Sequence, residues 1–224
     1  MRLVPKTLRT QPRKPVIGRV AGVDAVALTF DDGPSDLTAA VLTTLARHRV
    51  RATFFVVGRE IPGRERLLRR AVDEGHELGN HTMTHGRARE RRDTGYVEIA
   101  ELNELIEAEA GVAPRVYRPP YGDVDPDEIA LASELGMSPV AWNVDPRDWS
   151  SGVAPQTIRA RVLESAEPGS IILLHDGPRD MRAATLAALP SLIESLRDRG
   201  LESVTVSELV ARGKAIRRSM AGSA

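Results

Sequence analysis

The chain has 224 residues, 42% of them hydrophobic and 28% charged, and no cysteine. That is the balance of a folded globular protein with room for a large core, and it excludes disulfide frameworks, thiolate metal sites and cysteine nucleophiles. Its 31 basic and 31 acidic residues cancel overall, but ten of the basic ones sit in two acid-free ends, leaving a central body near −10 and no extended cationic surface for nucleic acid.

The first of those ends, residues 1–21, carries Arg2, Lys6, Arg9, Arg13, Lys14 and Arg19 and reads as a basic tail, solvated or in contact with a polyanion. From residue 22 the chain alternates short apolar runs with amphipathic ones. Residues 25–30 predict a buried strand, ended by Asp31-Asp32-Gly33-Pro34, and 37–48 predict a helix from Leu37, Val41, Leu42 and Leu45. A strand over 52–57 and a charged helix over 64–74 follow. Residues 77–80 read as a short strand running into His81, and 96–110 as a helix closed by Gly111. The pattern repeats with a strand at 116–118, a helix at 127–135, a strand at 137–144 and a helix at 155–167. The most apolar strand, 170–175, precedes a long helix over 182–199, a last strand over 201–206 and a closing helix capped by Ser207. Residues 211–224, with Arg212, Lys214, Arg217 and Arg218, form the second basic tail.

About seven β–α units without a composition break argue for one domain, 22–210, with parallel strands joined by crossover helices. No stretch approaches the roughly 18 apolar residues of a membrane span, and the start lacks the apolar run of a signal peptide. The chain as it stands is therefore expected to be cytoplasmic, with export open if a leader precedes it. Nothing in the sequence fixes an oligomeric state.

The chemistry-bearing residues follow the strands, the end at which barrels and open α/β sheets build their sites. Asp31-Asp32 places two carboxylates at a strand end, where they repel unless a cation neutralises them; alone, the segment also reads as a polar turn with a helix cap. His81 and His85 stand four apart in Asn80-His81-Thr82-Met83-Thr84-His85, and on a helical turn that spacing puts both imidazoles on one face, close enough to share a metal. Thr82 stands where a zinc protease needs its glutamate, so a third ligand and a base must come from elsewhere. Arg118-Pro119-Pro120-Tyr121-Gly122 is a rigid turn able to aim an amide N–H at an oxyanion. Trp142 reads as core, whereas Trp149, in Asp145-Pro146-Arg147-Asp148-Trp149, offers an indole face to a sugar ring. Leu173-Leu174-His175 ends a strand on a histidine that becomes a general-acid candidate beside a metal.

Together, Thr29-Phe30-Asp31-Asp32-Gly33-Pro34, His81-Thr82-Met83-Thr84-His85, Arg118-Pro119-Pro120-Tyr121-Gly122, Asp148-Trp149 and Leu173-Leu174-His175 resemble the five ordered motifs of polysaccharide deacetylases. This is carbohydrate esterase family 4, the NodB homology domain, and the likeness spans roughly residues 22–210. The resemblance implies a distorted (β/α) barrel of about seven parallel strands. It implies a divalent metal, zinc first and cobalt or another ion second, on Asp32, His81 and His85. It makes Asp31 the base, oriented by Arg118, and His175 the acid, held by Asp148. The Tyr121 backbone N–H would stabilise the oxyanion, and Tyr121, Trp149 and Leu173 would line the substrate pocket. The implied reaction removes N-acetyl, or O-acetyl, groups from a carbohydrate such as an N-acetylglucosamine polymer. Two histidines and a carboxylate also describe a non-haem iron oxygenase, against which the spare acid and base speak. A catalytically silent carbohydrate-binding module on the same barrel is the remaining alternative.

Overall fold

The structure, a computed structural model, describes residues 14–91, 94–178 and 183–221. Seven strands, each followed by a helix, make up this part of the chain. They are β1 (Ala25–Asp31), α1 (Asp36–His48), β2 (Thr53–Val56), α2 (Glu65–Asp73), β3 (Glu77–Asn80), α3 (Gly95–Ala110) and β4 (Val116–Tyr117), then α4 (Pro126–Glu134), β5 (Ser138–Pro139), α5 (Pro155–Ser165), β6 (Ile171–His175), α6 (Ala183–Asp198), β7 (Glu202–Ser203) and α7 (Val206–Ala221). All pairings between the strands are parallel, in the order β5-β4-β3-β2-β1-β6, with β7 also beside β1. The path curls until a single parallel bridge, Val144 to Ile172, joins the segment after β5 to β6. The result is a distorted (β/α) barrel, as the family resemblance implies, built from the parallel strands and crossover helices that the alternation predicts.

Side-chain parity explains why β1 reads as an uninterrupted apolar run. Val26, Leu28 and Phe30 face outward into the main core with Leu42 and Phe54, while Ala25 and Ala27 face inward into a second cluster with Phe55, Val116 and Ile171. Strands buried on both faces carry no polar alternation. Phe30 and Phe54 stack at 5.2 Å between ring centroids on the outer layer. Helix α1 starts at Ser35, whose hydroxyl takes the Leu37 N–H at 3.1 Å.

Two predicted strands are shorter than expected. Over 137–144 the N–H groups of Ser138 and Val140 bond Arg115 O and Tyr117 O on one side, Ala141 bonds Ile17 O on the other, and by Asn143 and Val144 the chain has turned to Ile171 O on β6. The regular ladder is therefore two residues long. Likewise 201–206 yields only Glu202–Ser203, because Thr205 already caps α7 through the Glu208 N–H. Ser207, expected to cap that helix, instead bonds Glu77 from inside it. Arg182, the expected start of α6, and residues 1–13 lie outside the described residues. Within the segments read as tails, Ile17 and Arg19 form bridges to Val140 and Ser170, and α7 runs unbroken through residue 210. No described helix is long and apolar enough to cross a membrane.

His76 ties the start of β3 to β2. Its Nδ1 accepts the Ala52 N–H at 3.1 Å, and burial pulls the imidazole down to about 4, against Glu74 and with Arg70 and Arg51. Unfolded, the same group takes its proton near 6.5. The unfolded state thus binds more protons between these values, and this contribution to stability is lost as pH falls from about 6.5 toward 4. Between pH 7.5 and 5.0 the protein should lose roughly 2 kcal/mol more stability than His76→Asn, whose amide accepts the same N–H and has no proton to gain. Urea unfolding at the two pH values measures the difference, and equal losses would place the acid sensitivity elsewhere.

Candidate active site

The parity that fills the barrel also builds its mouth. The inward set of each strand, followed to its C-terminal end, reaches Asp31 on β1, His81 after β3, Arg118 after β4 and His175 on β6. Asp31 and His175 are register partners across β1 and β6. The outward position before His81 is Asn80, whose amide turns to helix α3 and donates to Ile99 O and Asn103 Oδ1, each at 2.8 Å. Asp32 breaks the alternation. Its φ of 73° is left-handed, so the carboxylate after Asp31 reaches the same cavity. The backbone is close-packed here: a Cβ on Gly177 would lie 2.3 Å from the Asp32 Cβ, so only glycine fits at that position.

Three donors converge. The His85 Nε2 is 3.0 Å from Asp32 Oδ1, the His81 Nε2 is 3.8 Å from the same oxygen, and one donor atom from each residue lies within 4.8 Å of the others. His81 Nδ1 is 2.7 Å from Arg118 O. A carbonyl oxygen only accepts, so Nδ1 carries the hydrogen and Nε2 presents a lone pair to the cavity, the usual arrangement for a metal-binding histidine. Burial pulls His81 down to about 4, opposed chiefly by Asp31, which keeps the ring neutral at neutral pH. Burial alone would push the Asp32 carboxyl up, but the His85 hydrogen bond and the nearby His175, His81 and His85 outweigh it and hold it well below the ordinary carboxylate range. Two imidazoles and one carboxylate on a mostly buried wall fit a divalent ion.

The histidine pair does not lie on a helical turn, as its spacing suggests. Residues 81–86 form a loop in which Thr82 and His85 both have left-handed φ, 68° and 55°, and this folds the two rings to 4.9 Å between centroids. Thr82 donates its N–H to Asn80 Oδ1 and takes the His85 N–H on its hydroxyl, closing the loop on itself.

Beside this trio stand two carboxylate-held groups. Arg118, 0% exposed, donates from Nη1 to Asp31 Oδ1 at 2.6 Å and to Thr29 Oγ1 at 2.8 Å, and from Nη2 to Ala141 O at 3.1 Å. Its guanidinium lies 4.0 Å over Phe55 and 5.5 Å from the half-buried Trp142. Burial lowers its pKa, against the Asp31 charge. The second group is His175, whose Nδ1 is 2.7 Å from Asp148 Oδ1 and whose backbone N–H reaches Asp148 Oδ2 at 2.9 Å. Thr185 also donates to Oδ2. Asp148 is fully buried. Tyr121, left-handed at φ 61° and 50% exposed, packs its ring 4.7 Å from that of His85 and under the Arg87 guanidinium. Trp149 is 42% exposed beside Arg147, and Leu173 is buried.

Every candidate residue thus lies at the C-terminal end of the strands or in the loops leaving it. The sequence reading places Thr29 only within its motif, whereas the side chain bridges Arg118 to Ile172 O. It singled out neither Asn80 nor Asp176. The latter is buried under the Gly33 turn, takes the Thr38 hydroxyl at 2.5 Å, and is pushed up to about 7 by burial, against that bond and with Asp32 and Asp31. Adjacency to His175 and Asn80-His81 was the only signal available for either residue.

The model of the family described as polysaccharide deacetylase matches residues 19–140. A chitooligosaccharide deacetylase of Sinorhizobium fredii is 46% identical over 208 residues, covering 86% of this chain and 93% of that one. A peptidoglycan-N-acetylglucosamine deacetylase of Bacillus cereus is 37% identical over 191 residues, covering 84% and 69%. Among solved structures, a peptidoglycan N-acetylglucosamine deacetylase in complex with a benzamide superposes with a TM-score of 0.82 at 34% identity, covering 87% of this chain and 91% of that one.

Proposed function

This chain belongs to the polysaccharide deacetylase family, and from that premise we propose that it is a divalent-metal-dependent hydrolase removing N-acetyl groups from an N-acetylglucosamine-containing oligo- or polysaccharide. The observation that carries the reading is the convergence of an Asp31–Arg118 pair, an Asp148–His175 pair and the Asp32, His81, His85 trio at one strand end. Asp32, His81 and His85 would hold the ion, a donor set that suits zinc first and cobalt second. When bound, such an ion supplies a Lewis acid for the acetyl carbonyl and a more acidic water.

The protein's own groups divide the proton work. Arg118 holds Asp31 through Oδ1, which leaves Oδ2, on the His81 side of the cavity, to take the proton of the attacking water. Asp148 holds His175 by Nδ1, and we assign the other ring nitrogen, Nε2, to protonate the amide nitrogen as the C–N bond breaks. Water thus gives its oxygen to the acetyl carbon and one proton to Asp31, and its second proton leaves on the carboxyl group as acetic acid, which ionises to acetate. His175 gives one proton to the departing amine, and loss of the proton from Asp31 and reprotonation of His175 through solvent restore the pair. The Tyr121 N–H, fixed by its left-handed turn, is assigned to the oxyanion. Leu173 walls the space for the acetyl methyl, and the exposed faces of Trp149 and Tyr121 take the sugar rings.

Acetate release from N-acetylated chitooligosaccharides, peptidoglycan fragments and acetylxylan, with and without a chelator, tests the proposal. Release from one of the first two that stops with chelator and returns with zinc is expected. Release only from acetylxylan would move the specificity to O-acetyl groups. No release from any of them, with glycan still bound, would favour the silent module, and dioxygen-dependent turnover with ferrous iron would favour the oxygenase.

A further inference from the structure

Glu98 is a buried carboxylate that the proton transfers above do not use. It lies in the first turn of α3, 9% exposed, and receives the Thr84 N–H at Oε2 (3.0 Å) and the Thr84 hydroxyl at Oε1 (3.0 Å) and Oε2 (2.9 Å). Thr84 stands next to His85, in the loop whose Thr82 and His85 are left-handed. Such conformations are strained for residues other than glycine and persist only where the surroundings over-determine them. The same helix supplies the second restraint, because Ile99 O, next to Glu98, and Asn103 Oδ1, a turn beyond it, hold Asn80, and Asn80 in turn holds the Thr82 N–H. The loop is therefore pinned to α3 at both ends, and its charged pin is Glu98.

We propose that Glu98 is a positioning residue that, through Thr84, holds His85 and His81 in the geometry the metal requires. This rests on the metal reading above for its consequence in binding, though not for its effect on the loop. Groups that orient ligands in this way typically contribute about 10- to 100-fold in metal affinity. Glutamine at 98 keeps one acceptor for the Thr84 N–H and can donate to the Thr84 hydroxyl, so it restores part of what alanine loses.

Zinc dissociation constants by chelator competition, and histidine imidazole NMR spectra of the metal-free protein, test the proposal on Glu98→Ala, Glu98→Gln and Leu102→Ala. Leu102 is buried on α3 but outside the loop's hydrogen bonds, so its variant reports the cost of loosening the helix alone. Expected are a zinc affinity weakened about 10- to 100-fold in Glu98→Ala, an intermediate value in Glu98→Gln, and one within about twofold of the parent in Leu102→Ala. The metal-free Glu98→Ala spectrum should shift at His81 and His85 while His48 and His76 stay in place. Affinity unchanged in Glu98→Ala, or lost equally in Leu102→Ala, would overturn the proposal. Should the parent bind zinc no better than Asp32→Ala, the metal reading fails by itself. The imidazole signals then decide, a shift confined to His81 and His85 supporting the role of Glu98 and unmoved signals refuting it.

Discussion

Asp31→Asn should lower the rate of acetate release by about 10³-fold, within the range that removing a general base produces, while zinc stays bound. Asparagine keeps the volume of the side chain and an oxygen for the Arg118 Nη1–H, but has no carboxylate to take a proton from water. The distances make the assignment a close decision between neighbours. His81 Nε2 lies 3.7 Å from Asp31 Oδ2 and 3.8 Å from Asp32 Oδ1, which does not separate ligand from base. His85 separates them, because its Nε2 is 3.0 Å from Asp32 Oδ1, and Arg118 already occupies Asp31. His81→Ala should accordingly lose both zinc and activity. Metal content after gel filtration, set beside acetate release, reads the two variants together. Equal zinc loss in both would exchange the roles of Asp31 and Asp32.

Much of this site was legible because inward parity is a sequence property. The apolar runs ending in Asp31 and His175 mark two adjacent buried strands, whose last inward residues lie at the mouth. What the pattern could not give was the local backbone. Nothing in Asn80-His81-Thr82-Met83-Thr84-His85 announces two left-handed residues, since there is no glycine and Thr82 is β-branched, so helical spacing was the natural inference. Glu98 was hidden for a different reason. It belongs to a well-formed helix whose apolar stripe of Ile99, Leu102 and Ile106 is evident, and one more glutamate beside that stripe looks like solvent-facing charge. Only the packing of the loop over the start of the helix makes it a partner. Strand lengths failed where the chain changed partner or began a helix, as it does after β5, where it turns from β4 to Ile17 and Ile171, and after β7, where Thr205 caps α7.

Arg118→Met should cost about 3–5 kcal/mol of stability, the range for removing one member of a buried ion pair. The substitution preserves much of the apolar volume over Phe55 and Trp142, so packing contributes little of the loss. The cost comes from what remains: an Asp31 carboxylate only 3% exposed and without its cation, and an Ala141 carbonyl and Thr29 hydroxyl without their donor. This predicts a sign that packing alone would not produce. Adding Asp31→Asn removes the orphaned charge, so the double variant should be more stable than Arg118→Met by about 1–3 kcal/mol, although each change alone is destabilising. Arg118→Lys should not rescue it, because an ammonium offers neither the planar fork that reaches Asp31, Thr29 and Ala141 together nor a face to lay on Phe55. Urea unfolding of the four proteins closes the cycle. An Arg118→Met protein within about 1 kcal/mol of the parent would mean that the guanidinium is not what neutralises Asp31. A double variant less stable than either single one would mean that the two side chains act separately.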